Sequence, residues 1–459
     1  MRDIDRRQLL RVLGATGAAG LAGCSGGGDG GDGGSDGSDG SDGGDGGSDG
    51  GDGGTSMDGG DGSDGGSSPV EITYRDRSGG SDPSIYADVY NESHDSIQIN
   101  PSMKPVEEKY RALIAQISAG NAPEVLGLDV VYLPRFAQLG ALDTINDFFD
   151  SREYTDEIFQ PLQEDFIRWN GDVYAMPFWI DLSAYYYNKN HYEEAGLDPE
   201  NPPETFQEFL DACEALQQAG YDTPLSNTLG FVGLETFFFM PHVWAGGGEF
   251  LNEDQTECLI DEQPAVDALN FFLELQENGY VTDQTSTEAF TYPPFVAEET
   301  SMAYGGGTGV GAVKSQNEEL FENMGTAMFP KPEGGSQSSF LGGNSISVST
   351  QASGEQREAA LEFIDWVNSE EGMRVTVEDL GYLPARQSGF DTEYVQNRQD
   401  IFGAFRRAME QGHAPPMHPR FLEMQGPLNN AIERVLLGNQ DPQPALTQAA
   451  ESINGVLQS

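Results

Sequence analysis

The sequence predicts an α/β body of two or more lobes, carried on a flexible acidic tether. Residues 69–459 alternate short strand-like and helix-like segments, the signature of mixed α/β packing. Residues 25–68 hold 22 Gly and 11 Asp with no aromatic residue, so they cannot offset the entropy of ordering. The remaining body is long enough to bury a large core, and long enough that one core does not suffice.

The 459 residues include 76 Asp and Glu against 23 Lys and Arg, a formal net charge of −53. Residues 1–24 contribute +2 and residues 25–68 contribute −11, which leaves −44 on the body. Such a balance excludes a nucleic-acid partner, because phosphate neutralisation needs clustered Lys and Arg. Only five Lys occur, at 104, 109, 189, 314 and 331, against 18 Arg. At about 1 M salt the Debye length is about 3 Å, so self-repulsion of this size is tolerable there and destabilising in dilute buffer. A carboxylate-rich, Lys-poor surface therefore reads as adaptation to concentrated salt; a surface for a cationic partner is the competing reading.

Val70–Tyr74 opens the body as an alternating strand, followed by a helix near 83–92 and a strand at 96–100. A helix at 105–120 carries Tyr110, Leu113, Ile114 and Ile117 on one face. A strand at 124–128 and a helix near 133–139, closed by Gly140, come next. A second such region opens at Ala184–Tyr187, with helices at 203–219, 235–244 and 264–278. Strands are predicted at 300–304, 325–329 and 345–349, then helices near 356–368, 393–410, 421–437 and 442–457. No segment of the body is long and apolar enough to span a bilayer.

Residues 1–24 read as an address. Arg6, Arg7 and Arg11 precede a short apolar run from Leu9 to Ala22 that ends in small residues before Cys24. The Arg6-Arg7 pair resembles a twin-arginine export signal, and Leu21-Ala22-Gly23-Cys24 resembles a lipoprotein cleavage box in which the Cys24 sulfur receives lipid. An amphipathic N-terminal helix is the plainer alternative. The tract 25–68 then acts as a spacer of roughly 35–40 Å.

Several chemistries find no support. The five His show no metal-ligand spacing, and Cys213 and Cys258 form no visible framework, although a disulfide between them stays open. Gly307-Thr308-Gly309-Val310-Gly311-Ala312 fits a dinucleotide loop superficially, but it lies in mid-chain without an opening βαβ unit. A tight strand-to-helix turn, or close backbone approach to a ligand, accounts for it better. Abundant carboxylates invite a glycosidase reading, yet no local motif isolates an acid and a nucleophile.

Ordered blocks along the body resemble the extracellular solute-binding proteins of family 1, the carbohydrate receptors of ABC importers. They are PEVLGLDVVYLPRFAQLGALDTINDFF (123–149), YAMPFWIDLSAYYYNKNHYEEAGLDP (174–199), SMAYGGGTG (301–309), FPKPEGG (329–335), GGNSISVS (342–349), AALEFIDWVNSEEG (359–372), GYLPAR (381–386) and GNQDPQPALTQAAESI (438–453). The resemblance implies a type II periplasmic-binding-protein-like fold, two α/β lobes hinged by crossing strands. Lobe one would hold about 69–178 and 298–347, and lobe two about 184–294 and 350–459. Crossings would fall near 177–183, 295–300 and 344–350. It further implies a monomer that captures a sugar or oligosaccharide and delivers it to permease subunits and their ATPase. Membrane contact would come through the lipid anchor only, and neither catalysis nor cofactor is involved. A secreted carbohydrate-active hydrolase is the alternative.

Sugar hydroxyls need planar polar partners, and sugar C–H faces pack on aromatic rings. On that basis the cleft candidates are Asp129 after its strand, Trp179 and Asp181 at the crossover, and Glu235, Phe237 and Trp244 in ETFFFMPHVW. Tyr304 at a strand end, and Arg420 and Gln425 at the start of a late helix, complete the set. Each has a structural alternative. The rings could be core, Asp129 and Asp181 could be solvated, and Arg420 could pair with a structural carboxylate.

Overall fold

In the computed structural model, residues 68–78, 82–226, 235–281 and 292–459 are described. The expected address at 1–24 and nearly all of the tether lie outside them. Strand β1 (Val70–Ser78) buries Ile72, Tyr74 and Asp76 on one face and runs parallel to β2 (Ile97–Pro105), with helix α1 (Ile85–Ser93) between them. Helix α2 (Val106–Ala119) stops where Gly120 turns left-handed at φ +76° and its N–H returns to the Gln116 and Ile117 carbonyls. Strand β3 (Val125–Asp129) follows, then a 3₁₀ turn at Val130–Tyr132 and helix α3 (Leu133–Gln138).

The crossing expected near 177–183 and the strand read at 184–187 are one strand of 13 residues, β4 (Met176–Asn188), almost wholly buried along its length. Covering on both faces suppresses the polar alternation by which a strand is read, which is why the residues alone mark only 184–187 and the part at 177–183 follows from the resemblance. After β4 come α4 (Phe206–Gln218), β5 (Leu225–Ser226), a π turn at Glu235–Phe239, α5 (Met240–Ala245) and α6 (Gln263–Glu277). The π turn replaces the first part of the helix predicted at 235–244. The chain continues through β6 (Met302–Gly306), α7 (Gly307–Gln316), β7 (Met324–Ala327) and β8 (Ser339–Val348). It closes with α8 (Glu355–Val367), α9 (Gln399–Gln411), β9 (Gly412–His413), α10 (Phe421–Leu436) and α11 (Pro442–Leu457). The helix predicted at 393–410 is interrupted, a short Glu393–Gln396 turn preceding α9.

One nine-stranded sheet runs in the order β2-β1-β3-β8-β4-β6-β5, with β7 beside β4 and β9 beside β8. Its two halves meet inside β4. Met176–Leu182 pairs with β8, whereas Ser183–Asn188 pairs with β6 and β7. Strand β8 crosses back, with a bulge between Asn344 and Ser345. At Gly343 φ is +117°, and a Cβ would lie 2.3 Å from the Trp179 carbonyl oxygen, so only glycine fits this crossing.

Each half has its own core. Ile72, Tyr74, Leu126, Phe178 and Phe363 belong to the first, and Tyr185, Phe209, Phe272, Tyr304 and Leu428 to the second. The later segments are divided between the two cores, with Val310, Val313, Leu320 and Phe321 in the first. Residues 302–306, expected in lobe one, pair with the second-half end of β4 and face both cores, with Ala303 in the first and Met302 and Tyr304 in the second. Helix α8, placed with lobe two, packs on the first half, its Phe363 ring 5.5 Å from Tyr74 and its Trp366 ring 5.3 Å from Tyr90. Only α10 and α11 at the C-terminal end pack in the second core.

Candidate ligand cleft

The first-half contribution is the turn after β3. Asp129 sits half-buried at the strand end, and its carboxylate accepts the Val131 N–H at 3.2 Å, starting the 3₁₀ turn. Across the sheet Asp129 pairs with Asn344, which also faces Trp179. Val131 packs against both cores, and the turn lies against α10 of the second half. Asp129 therefore stands where the two halves approach.

Asp181 stands on the crossing part of β4. Its carboxylate accepts the Thr308 N–H at 3.2 Å and lies 3.4 Å from the Thr308 hydroxyl, holding the first turn of α7. Gly306 allows this approach. A Cβ there would fall 2.4 Å from Asp181 Oδ1 and 2.8 Å from Phe237 Cζ. The Gly-rich segment is thus a strand-to-helix turn with a carboxylate and an aromatic ring on top of it. Phe237 is half-buried, its ring 5.3 Å from Phe340 of β8. Trp244 lies nearly parallel to the same Phe340 at 6.2 Å and to His413 at 5.1 Å. Asp181 and Phe237 are brought together, and Phe340 joins them to Trp244. Gln425 on α10 is buried, with its amide 3.3 Å from the Thr236 hydroxyl beneath the π turn.

The other candidates are placed elsewhere. Trp179 is fully buried in the first core, its ring 4.5 Å from Tyr382, and presents no face to solvent. Tyr304 is fully buried in the second core, 3.2 Å from His242 Nε2. His242 Nδ1 donates to the Phe238 carbonyl at 2.8 Å, so Nε2 is the acceptor and Tyr304 the donor. Burial pulls His242 down to about 3, which keeps it neutral. Arg420 pairs with Glu423 at 2.6 Å and donates to the Val456 carbonyl and the Ser459 hydroxyl, so it fastens the end of α11. The backbone of Glu235 opens the π turn, but its side chain lies outside the described residues. Sequence reasoning missed Phe340, Asn344 and His413. GGNSISVS marked the crossing strand and contains Asn344, but no local spacing shows that Asn344, Phe340 just before the block, or the distant His413 lies beside the candidates.

Cys213 and Cys258 are free and buried, and burial pushes both thiols up. Among the described residues no group of three or more His, Cys, Asp and Glu could hold a metal, and no helix is long and apolar enough to cross a membrane. An open recess of about 560 Å³ lies apart from the candidates, lined by Asp198, Glu200, Glu204, Glu208, Asp211 and Arg407 among others.

Two halves of one sheet, joined by strands that cross between them, define a two-lobed binding protein. Residues 86–403 match the family model for bacterial extracellular solute-binding proteins, and the chain belongs to that family. It is 24% identical over 409 residues to the sn-glycerol-3-phosphate-binding periplasmic protein UgpB of Pectobacterium atrosepticum, covering 82% of this chain and 88% of that one. It is 23% identical over 381 residues to the maltotriose-binding protein of Pyrococcus abyssi, covering 79% of this chain and 75% of that one. Among solved structures, maltose-bound MalE3 of T. maritima superimposes with a TM-score of 0.75 at 20% identity, covering 84% of this chain and 100% of that chain. A tagatose-bound solute-binding protein of an ABC transporter from Thermotoga lettingae gives 0.73 at 22% identity, with 84% and 100% covered. The fold is that of a type II periplasmic binding protein.

Proposed function

We propose that the chain is the sugar-capturing receptor of an ABC importer. The observation that carries this reading is the junction of Asp181, Phe237 and Gly306. There a half-buried carboxylate of the crossing strand and a half-buried ring of the π turn share one site over Gly306. A carboxylate accepts hydroxyl hydrogen bonds and a ring covers C–H faces, which is the pair of functions a sugar demands. Asp129 and Gln425 would complete the site from either side, with Trp244 supporting it through Phe340. Ligand bridging the halves favours the closed state only through contacts made better there than in the open state.

A neutral polyhydroxylated ligand fits this charge better than a phosphate ester. The body carries −44, both candidate groups at the junction and the turn are carboxylates, and Lys109 and Arg420 are already held by Asp76 and Glu423. Maltotriose and glycerol 3-phosphate, named for two relatives, are the informative pair. A thermal-shift panel of neutral sugars and glycerol 3-phosphate in concentrated salt should raise the melting temperature for a neutral sugar. A hundredfold excess over Kd corresponds to about 2.7 kcal/mol. Recovery of the sugar intact from the complex is expected; turnover would establish the hydrolase reading instead.

Arg6 and Arg7 support export of the folded chain, and Cys24 supports attachment of lipid, with 25–68 as the spacer to the membrane surface. Permease subunits and their ATPase are the partners of this reading, and strong salt its medium. Cys24→Ser should release the protein from the membrane fraction; retention of the variant there would overturn the anchor.

A further inference from the structure

We propose that Tyr110 is the positioning residue of the turn Asp129–Tyr132, gripping it at both ends. The inference rests on the reading of that turn as one wall of the ligand site. Tyr110 lies on α2, is 5% exposed, and touches the turn twice. Its hydroxyl oxygen accepts the Asp129 backbone N–H at 3.0 Å. Its ring lies flat on Tyr132, with centroids 3.4 Å apart and planes 9° from parallel. The hydroxyl thus fixes where the turn leaves β3, and the ring fixes the half-buried aromatic side chain three residues later.

The position of Tyr110 does not depend on the turn alone. Its neighbour Lys109 is fully buried, with Nζ 2.9 Å from Asp76 Oδ1, and Asp76 also accepts from Asn344 Nδ2 at 2.8 Å. Asn344 is the residue opposite Asp129 on the crossing strand. Helix α2 is therefore fastened near the end of β1 and at the bulge of β8, and Tyr110 transmits that fixed position to the turn. If its hydroxyl is removed, the ring can still support Tyr132. If the ring is removed as well, both Tyr110 contacts are lost while the Asp129 side chain keeps its own bond to Val131.

Tyr110→Phe and Tyr110→Leu separate the two contacts. Hydrogen–deuterium exchange of the full exported chain in concentrated salt reads the turn without any ligand. In the Phe variant the Asp129 amide should exchange about five- to tenfold faster, as expected for one lost hydrogen bond, with β1 and α8 unchanged. In the Leu variant the acceleration should extend through Tyr132. An unchanged turn in the Leu variant, or acceleration spread evenly over the whole first half, overturns the positioning role. Titration with maltotriose is the second readout, and affinity should fall from wild type to Phe to Leu. Equal affinities in all three overturn the link to binding. If wild type takes up no sugar while the exchange pattern is as stated, the ligand reading fails and the positioning role stands.

Discussion

Each half of the sheet buries a polar centre behind the cleft candidates, and the two are built from opposite chemistry. In the first half, Asp76 is fully buried and accepts from Lys109 at 2.9 Å, Tyr74 at 2.7 Å and Asn344 at 2.8 Å. In the second, neutral His242 bridges the Phe238 carbonyl and the Tyr304 hydroxyl within a shell of rings that includes Phe272 and Phe329. Both tie an element under the cleft to its neighbours. The ionic centre is shielded from solvent, so concentrated salt does not screen it as it screens the acidic surface. The histidine centre carries no charge for salt to act on, but it fails when the imidazole is forced to take a proton.

The largest expected effect comes from unbalancing the ionic centre. Asp76→Ala leaves the Lys109 ammonium buried without its carboxylate, at a cost of about 3–5 kcal/mol. Urea unfolding in concentrated salt should show this loss, with exchange protection falling first in β1, β2 and α2. Adding Lys109→Met to Asp76→Ala should restore the part owed to the buried charge, while the Tyr74 hydroxyl and the Asn344 amide, which also donate to Asp76, keep the double variant below wild type. A double variant no more stable than the single would show that the pair does more than cancel its own charge.

The contrast also shows what was legible in the residues. Alternating strands and one-faced helices of ordinary length were read close to their ends, as for α2, α6 and α11, because burial on one side imprints a period on the sequence. Strand β4, covered on both sides, left an imprint only at 184–187, and no local spacing shows that the Trp179 ring lies in the first core. Tyr110 read simply as part of the apolar face of a helix. Its hydroxyl partner is 19 residues away, and no local spacing reveals that bond. Asp181 and Phe237 were nameable singly, but their meeting depends on the missing Cβ of Gly306, a property of three segments together.

A smaller effect is expected at the second centre, and its direction with pH follows from the histidine. Tyr304→Phe leaves His242 Nε2 buried without its donor, at about 1–3 kcal/mol. In the wild type, His242 titrates at about 3 when folded, below the unfolded value of about 6.5. The unfolded chain therefore binds the extra proton between those values. The contribution of His242 is complete above about 6.5 and falls as pH drops toward about 3. Burial lowers His191, His413 and His418 as well, which adds to the same slope. Urea midpoints from pH 7 to pH 4 should fall, and His242→Gln should flatten part of the decline. An unchanged slope in that variant would assign the decline to the other histidines and to Glu157, Glu208 and, despite its burial, Asp400, whose carboxyls hydrogen bonds hold below their ordinary value.

The smallest expected effect is at Arg420, and it separates a fastening of the second half from a part of its site. The guanidinium pairs with Glu423 at about one-third exposure for both side chains and ties the end of α11 to the start of α10. A partly exposed pair of this kind contributes about 0–1 kcal/mol. Arg420→Ala should therefore lower the urea midpoint slightly and loosen the last turn of α11 in hydrogen exchange, leaving sugar affinity where it was. Gln425, a little over one turn further along the same helix, is buried against Thr236 beneath Phe237. Gln425→Ala should weaken affinity for whichever sugar the panel identifies. If Arg420→Ala weakens binding as much as Gln425→Ala does, the start of α10 belongs to the cleft as the resemblance implied, and the fastening at Val456 is secondary.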